Sequence, residues 1–303
     1  FDEVIVSKKA YETLGSRMFI EIGDKVKLED LLLGVIVQSG NDASVALAEH
    51  VSGSEEIFAS LMNQHALHLG MENTQFANST GMPVKEMEHE TTAYDLAILA
   101  RAFIKKFPKI YELHKLKEFT YGANPPIKQY NRNKLLWQDK SVDGIKTGYT
   151  EEAGYCLVAS AIRDDMRLIS VVMGADGENA RAKASQTNLN YGYRFFETHK
   201  LYKRNDTVTD VKIWKADADN LQLTVKEDFY ITIPRGQYDN LKSVIEINSK
   251  IIAPVKQGDN WGELKILLSG ENIAIAPLLA KTSIPSGNIF NRLKDEIHLM
   301  LLD

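Results

Sequence analysis

From residue 28 to 51, and again over 55–69, apolar side chains recur every three or four positions, the spacing that gathers them on one face of an α-helix. Ser54 followed by Glu55 and Glu56 supplies an N-cap hydroxyl and an acidic first turn for the second run. A further helix is predicted over 92–107, where Tyr94, Leu96, Ile98, Leu99, Ala102 and Phe103 form a broad apolar face and Pro108 ends it. The period then changes. Residues 117–121 read as a short strand, and GYCLVASA at 154–161 with MRLISVVM at 166–173 reads as a β-hairpin turned by Arg163-Asp164-Asp165. Residues 179–196 return to a helical pattern that runs into Tyr191, Tyr193, Phe195 and Phe196.

Beyond Thr198 the pattern is one of short alternating strands, predicted at 208–214, 221–225, 230–233, 243–248, 262–268 and 273–279. Pro234-Arg235-Gly236, Gln257-Gly258-Asp259 and Ser269-Gly270 punctuate them, which fits a small sandwich or barrel-like module. The expected division is therefore 1–200, a β-rich 201–284, and a terminal 285–303. In that last stretch Phe290, Leu293, Ile297 and Met300 recur against Asn291, Arg292, Lys294, Asp295 and Glu296, an amphipathic helix. Such a stripe packs on its own domain or lies in a membrane interface.

Composition narrows the class. With 44% apolar and 25% charged residues over 303 positions, the chain is an ordinary globular protein, long enough for two domains. Thirty-six basic residues against 41 acidic ones give −5, which argues against nucleic-acid binding through a global positive field. No apolar run approaches the roughly 18 residues needed to span a bilayer, and the opening FDEVIVSKKA has no signal-peptide pattern. The single cysteine, Cys156, forbids an intrachain disulfide and is expected to be a buried small hydrophobe. His65 and His68 stand three apart on one helix without a third ligand nearby, so no metal is expected, and no glycine-rich phosphate loop suggests a nucleotide cofactor.

Two tripeptides stand out. Ser39-Gly40-Asn41 lies at the break between two helical runs, and Lys146-Thr147-Gly148 precedes the first strand of the hairpin. Each alone is common turn chemistry. In this order, about a hundred residues apart, they are the second and third elements of the S-x-x-K, S-x-N, K-T-G set of serine acyl-transferases. The segments LLLGVIVQSGNDASVALAEHVSGS, NRNKLLWQDKSVDGIKTGYTEEAGYCLVASA, MRLISVVMGA, GYRFFET and YITIPRGQYDNLK extend the likeness over essentially the whole chain. The chain resembles the low-molecular-weight penicillin-binding proteins of the D-alanyl-D-alanine carboxypeptidase family.

That resemblance implies an α+β fold: a penicillin-binding/β-lactamase-like transpeptidase domain of helices around an antiparallel sheet, then a small all-β sandwich domain and a C-terminal amphipathic anchor. It implies a cofactor-free enzyme, exported to the periplasmic side of the bacterial cytoplasmic membrane and peripheral to it, acting on peptidoglycan stem peptides ending in D-Ala-D-Ala and inhibited by β-lactam antibiotics. By resemblance, the Ser39 hydroxyl relays a proton to the departing D-alanine, Asn41 binds substrate backbone, and Lys146 supplies positive potential. Thr147 meets the substrate carboxylate, Gly148 admits the substrate close to the strand, and the Tyr149 N–H is an oxyanion donor. Arg181 binds the terminal carboxylate, and Arg132 lies near the site. Tyr149 stands where many relatives carry histidine, so only its backbone role carries over. A class A β-lactamase is disfavoured, since it lacks a counterpart of the β-rich second domain.

One element is not found. No serine in the sequence has lysine three positions later; Ser7 is followed at that position by Ala10 and Ser39 by Asp42. The nucleophile and its lysine are expected upstream of Phe1, and these residues alone are expected to be inactive. The alternative is a stem-peptide-binding protein that keeps the groove without the nucleophile.

Overall fold

Local capping chemistry sets several helix starts in the computed structural model, which describes residues 2–85, 87–122 and 125–302. Strand β1 (Glu3–Ile5) pairs antiparallel with β2 (Lys25–Lys27), and between them lies α1 (Lys8–Glu12), whose Ala10 N–H donates to the cap Ser7 Oγ. Helix α2 (Leu28–Leu33) continues into a π-helical stretch, Gly34–Gln38, and stops at Ser39, which is left-handed at φ +62°. Helix α3 (Asn41–Ser52) begins two residues later, so the predicted break falls at the tripeptide. Helix α4 (Glu55–Leu69) is capped by Ser54, and α5 (Ala93–Lys106) by Thr92, each hydroxyl accepting an N–H from the first turn.

Helix α6 (Pro108–Tyr111) opens with proline at its first position, where the missing N–H costs nothing. After it come the antiparallel pair β3 (Glu118–Tyr121) and β4 (Ile127–Tyr130), and the short α7 (Leu135–Gln138). Three long antiparallel strands follow in the order β5 (Val142–Thr150), β6 (Gly154–Arg163) and β7 (Met166–Ala175), then α8 (Glu178–Phe195). The predicted hairpin is β6–β7, closed at Arg163↔Met166 with Asp164 and Asp165 both at positive φ. A core of Val4, Met18, Ile20, Leu31, Ala43 and Val45 joins α1–α3 to the loop before β2.

The described chain falls into two units, one up to Arg194 and one from Phe195. In the second, β8 (Phe196–Tyr202) is followed by β9 (Thr207–Trp214), β10 (Asn220–Thr224), β11 (Phe229–Pro234), β12 (Leu241–Ile247), β13 (Ile251–Ile252), β14 (Asn260–Leu268) and β15 (Glu271–Ala280). Six of these form a sheet in the order β12-β14-β15-β10-β9-β13, and β8 pairs with β11. Leu221, Leu223, Ile233, Leu264 and Leu278 are fully buried in its core. The fold is α+β, with helices around an antiparallel sheet and then a sheet-rich unit.

Residues 197–202, to which the sequence pattern assigns no element, form most of β8; pairing with β11, a contact distant in sequence, makes them a strand. One local expectation changes. Cys156 is only partly buried, with Sγ 3.5 Å from Ala153 O.

The terminal helix α9 (Ile289–Leu302) turns its polar side to its own unit. Asp295 accepts the Lys215 N–H at 2.5 Å, Glu296 pairs with the Lys215 ammonium, and Asn288 and Asn291 both donate to Asp217 Oδ1 at 3.0 Å. Its apolar residues Ile289, Phe290, Leu293, Ile297 and Met300 face outward, Phe290 at 80% exposure.

Candidate active site

The site is built on β5, an edge of its three-stranded sheet. Register places Lys146 opposite Val158, Thr147 opposite Leu157, Gly148 opposite Cys156 and Tyr149 opposite Tyr155. The first half of the strand is pinned from several directions. Arg167 forks onto both oxygens of Asp143 at 2.8 Å, and the Tyr111 hydroxyl donates to the same carboxylate at 2.5 Å. Asn133 Nδ2 donates to Gly144 O at 3.1 Å, and His114 Nδ1 lies 2.9 Å from Ile145 O. His114 is buried against Tyr111 and Phe103, and that burial lowers its pKa and favours the neutral ring. A neutral imidazole can donate its Nδ1 proton to that carbonyl.

Lys146 leaves this braced strand and reaches the other tripeptide. Its Nζ donates to Ser39 Oγ at 2.7 Å and to Thr147 O at 3.0 Å. Burial pushes the ammonium down to about pKa 8, and the charges of Arg132 and Arg181 push in the same direction. Asn41, 8% exposed, donates its backbone N–H to Ser16 O and its Nδ2 to Leu14 O, both at 2.7 Å. Its side-chain oxygen is thereby oriented as the acceptor.

Arg181, at the start of α8, is 3% exposed and donates to Gly148 O at 3.0 Å and Cys156 O at 3.4 Å, with its guanidinium over the Tyr155 ring. Arg132 is exposed and acts on Lys146, Arg181 and Glu178 through its charge. Gly148 and Tyr149 are exposed, the Tyr149 ring lying 4.3 Å from that of Tyr155. Lys146 is thus hydrogen-bonded to Ser39 and Thr147, and Arg181 to Gly148 and Cys156, the two sets being joined along β5 itself. Asn41 belongs to the same turn as Ser39, and Arg132 joins through its field.

Sequence reading missed the supports: Tyr111, His114, Asn133 and Arg167 against β5, Asp143 on the strand itself, and Asp42 beneath the Ser39 turn. Their partners lie up to 56 residues away in the chain, as for Arg167 with Tyr111, so no local pattern announces them. Asp42 alone offered a signal, a carboxylate in the first turn of a helix beside a predicted site residue. Chemically, the cluster sets a hydroxyl under a lysine ammonium, next to two guanidinium groups and an exposed strand segment. It suits an extended peptide that lies along β5 and ends in a carboxylate.

Residues 1–177 match the D-alanyl-D-alanine carboxypeptidase family, and residues 196–286 match the C-terminal domain of penicillin-binding protein 5. The chain is 42% identical over 302 residues to the D-alanyl-D-alanine carboxypeptidase DacC of Escherichia coli K12, covering 97% of this chain and 74% of that protein. It is 39% identical to DacF of Bacillus subtilis 168 over 97% of this chain and 75% of that one. Its structure resembles that of penicillin binding protein 5 from Haemophilus influenzae, with a TM-score of 0.83 at 36% identity, over 94% of this chain and 83% of that one.

Proposed function

The chain belongs to the D-alanyl-D-alanine carboxypeptidase family of low-molecular-weight penicillin-binding proteins, and on that premise we propose that it serves a serine-type carboxypeptidase removing the terminal D-alanine of peptidoglycan stem peptides through an acyl-enzyme. The observation that carries this reading is the 2.7 Å bond from Lys146 Nζ to Ser39 Oγ beside the buried Arg181.

Hydrolysis by this route needs a nucleophile, a proton donor for the leaving amine, oxyanion donors and a cation for the substrate carboxylate. Ser39 Oγ, hydrogen-bonded to an ammonium, passes a proton to the departing D-alanine amine. Lys146 keeps that hydroxyl polarised and adds positive potential. Thr147 and Arg181 receive the terminal carboxylate, a planar anion that a guanidinium matches. Arg132 adds charge at the rim. Gly148 leaves room for the substrate backbone on β5, Asn41 binds it from the opposite side, and the Tyr149 N–H serves the oxyanion. No S-x-x-K occurs in the sequence, and the attacking serine and its lysine base are not assigned to any of its residues.

The same reading places the protein on the periplasmic side of the cytoplasmic membrane, held peripherally by the outward apolar face of α9, with β-lactams as acylating inhibitors. No described helix is long and apolar enough to cross a membrane.

The test is D-alanine release from an acylated peptide ending in D-Ala-D-Ala by the full-length gene product, with intact mass measured before and after penicillin. Release together with a mass gain of one penicillin is expected. Peptide binding with neither release nor adduct would establish the non-catalytic reading instead, and absence of binding, release and adduct would overturn both.

A further inference from the structure

Beneath the Ser39-Gly40-Asn41 turn lies a carboxylate shut off from the surface. Asp42 is 0% exposed, in the first turn of α3. A buried carboxylate is costly unless its lone pairs are filled, and here backbone N–H groups fill them, with Arg17 Nε 3.8 Å from Oδ2 as a charged neighbour. Oδ1 accepts from Met18 at 2.8 Å and from its own neighbour Ala43 at 2.9 Å. Oδ2 accepts from Phe19 at 2.8 Å and Ile20 at 3.4 Å.

Three of those donors belong to one segment, which runs over the turn. That segment also supplies Ser16 O to the Asn41 N–H and Leu14 O to Asn41 Nδ2. Gln129 Nε2, from β4, ties it down at Met18 O with a 3.0 Å bond. Phe19 sits at φ +70°, a left-handed conformation unfavourable for a non-glycine residue; the Asp42 bond to its N–H holds it there. The middle position of the tripeptide follows from the same seat. A Cβ on Gly40 would lie 2.9 Å from Asp42 Oδ1 and 3.1 Å from Met18 N, so only glycine fits above this carboxylate.

We infer that Asp42 is the positioning residue of the Ser39-Gly40-Asn41 turn: it draws residues 18–20 onto the N-terminus of α3, and the attached carbonyls of Leu14 and Ser16 then fix Asn41 while the turn presents Ser39 Oγ to Lys146. Asp42 touches neither Lys146 nor the β5 edge. It acts through Gly40, Asn41 and the segment above them. This rests on the proposed function for its kinetic consequence, whereas the geometry it claims is independent of activity.

The experiment compares wild type, Asp42→Asn and Gln129→Leu in the full-length gene product. The readouts are D-alanine release per folded molecule and an NMR titration of Lys146 by its 13Cε resonance. Asn keeps the shape but replaces one acceptor by an N–H donor, which faces N–H groups. Release is expected to fall about 100-fold in Asp42→Asn and about fivefold in Gln129→Leu. The Lys146 titration is expected to move upward in both, because a displaced turn admits water to an ammonium that burial and the charges of Arg132 and Arg181 hold down. A role in stability alone would lower the melting temperature and leave that titration where it is.

A folded Asp42→Asn with wild-type release and an unmoved Lys146 would overturn the inference. Where Asp42→Asn fails to fold, Gln129→Leu decides, a moved titration supporting the inference and an unmoved one sinking it. If wild type itself releases no D-alanine, the functional reading fails, and the Lys146 titration in the variants still decides the inference.

Discussion

Lys146 and Ser39, 107 residues apart, meet at 2.7 Å through a single hydrogen bond, and that bond joins the edge strand of the sheet to the corner between two helices. Neither residue carries reactivity alone. A hydroxyl is a poor proton relay until a cation polarises it, and a surface lysine titrates well above neutrality.

Because the Lys146 ammonium is held down to about pKa 8 by burial and by two guanidinium neighbours, its charge is lost within an accessible range. D-alanine release that depends on the charged form should be level through pH 7 and fall as pH passes about 8. A rate profile flat to pH 10 would contradict the assignment. Lys146→Ala should lower kcat/KM by roughly 100-fold or more, with circular dichroism unchanged.

The same shift has a stability sign. In the unfolded chain Lys146 holds its proton to about 10.5, and in the fold to about 8. Between those values the unfolded state binds more protons, so stability rises with pH across that window. Below it, the buried charge is a full liability. Lys146→Met should therefore melt above wild type at pH 7, with the gap narrowing between pH 8 and 10.5; a lower melting temperature at pH 7 would refute this.

Arg181→Lys tests carboxylate recognition. A lysine keeps the charge and loses the planar fork, so KM for a substrate with a free terminal carboxylate should rise roughly 10- to 100-fold. Affinity for the same peptide with an amidated C-terminus should not change. Equal losses for both peptides would mean that Arg181 only braces Gly148 and Cys156.

Under β5, Tyr111→Phe removes the hydroxyl that donates to Asp143 at 2.5 Å and leaves the Arg167 fork in place. A bond to a charged acceptor contributes about 1.5–3 kcal/mol. Thermal unfolding should drop by several degrees. An unchanged melting temperature would show that Arg167 alone holds the strand.

For α9, Phe290→Glu with Leu293→Glu places charges on an exposed face. Folding, read by circular dichroism, should be unaffected, and sedimentation with anionic lipid vesicles should be lost. Vesicle binding equal to wild type would remove the membrane role from this helix.

What the residues determine alone is local. Caps at Ser7, Ser54 and Thr92 start helices because a side-chain oxygen meets an N–H three residues away. The β6–β7 turn and the amphipathic α9 depend on neighbours in sequence, and the two tripeptides are legible because their spacing from one another is unusual. The association of Ser39 with Lys146, the burial of Arg181, the bracing of β5 by Tyr111, His114, Asn133 and Arg167, and the Asp42 seat depend on contacts between distant segments. So does the strand character of β8, which its own pattern did not announce. Side-chain period reports which face of an element is apolar; it carries no information about which distant backbone groups will fill a buried carboxylate or depress a lysine. Those follow only when packing removes water and leaves each polar group to find its partner within the fold.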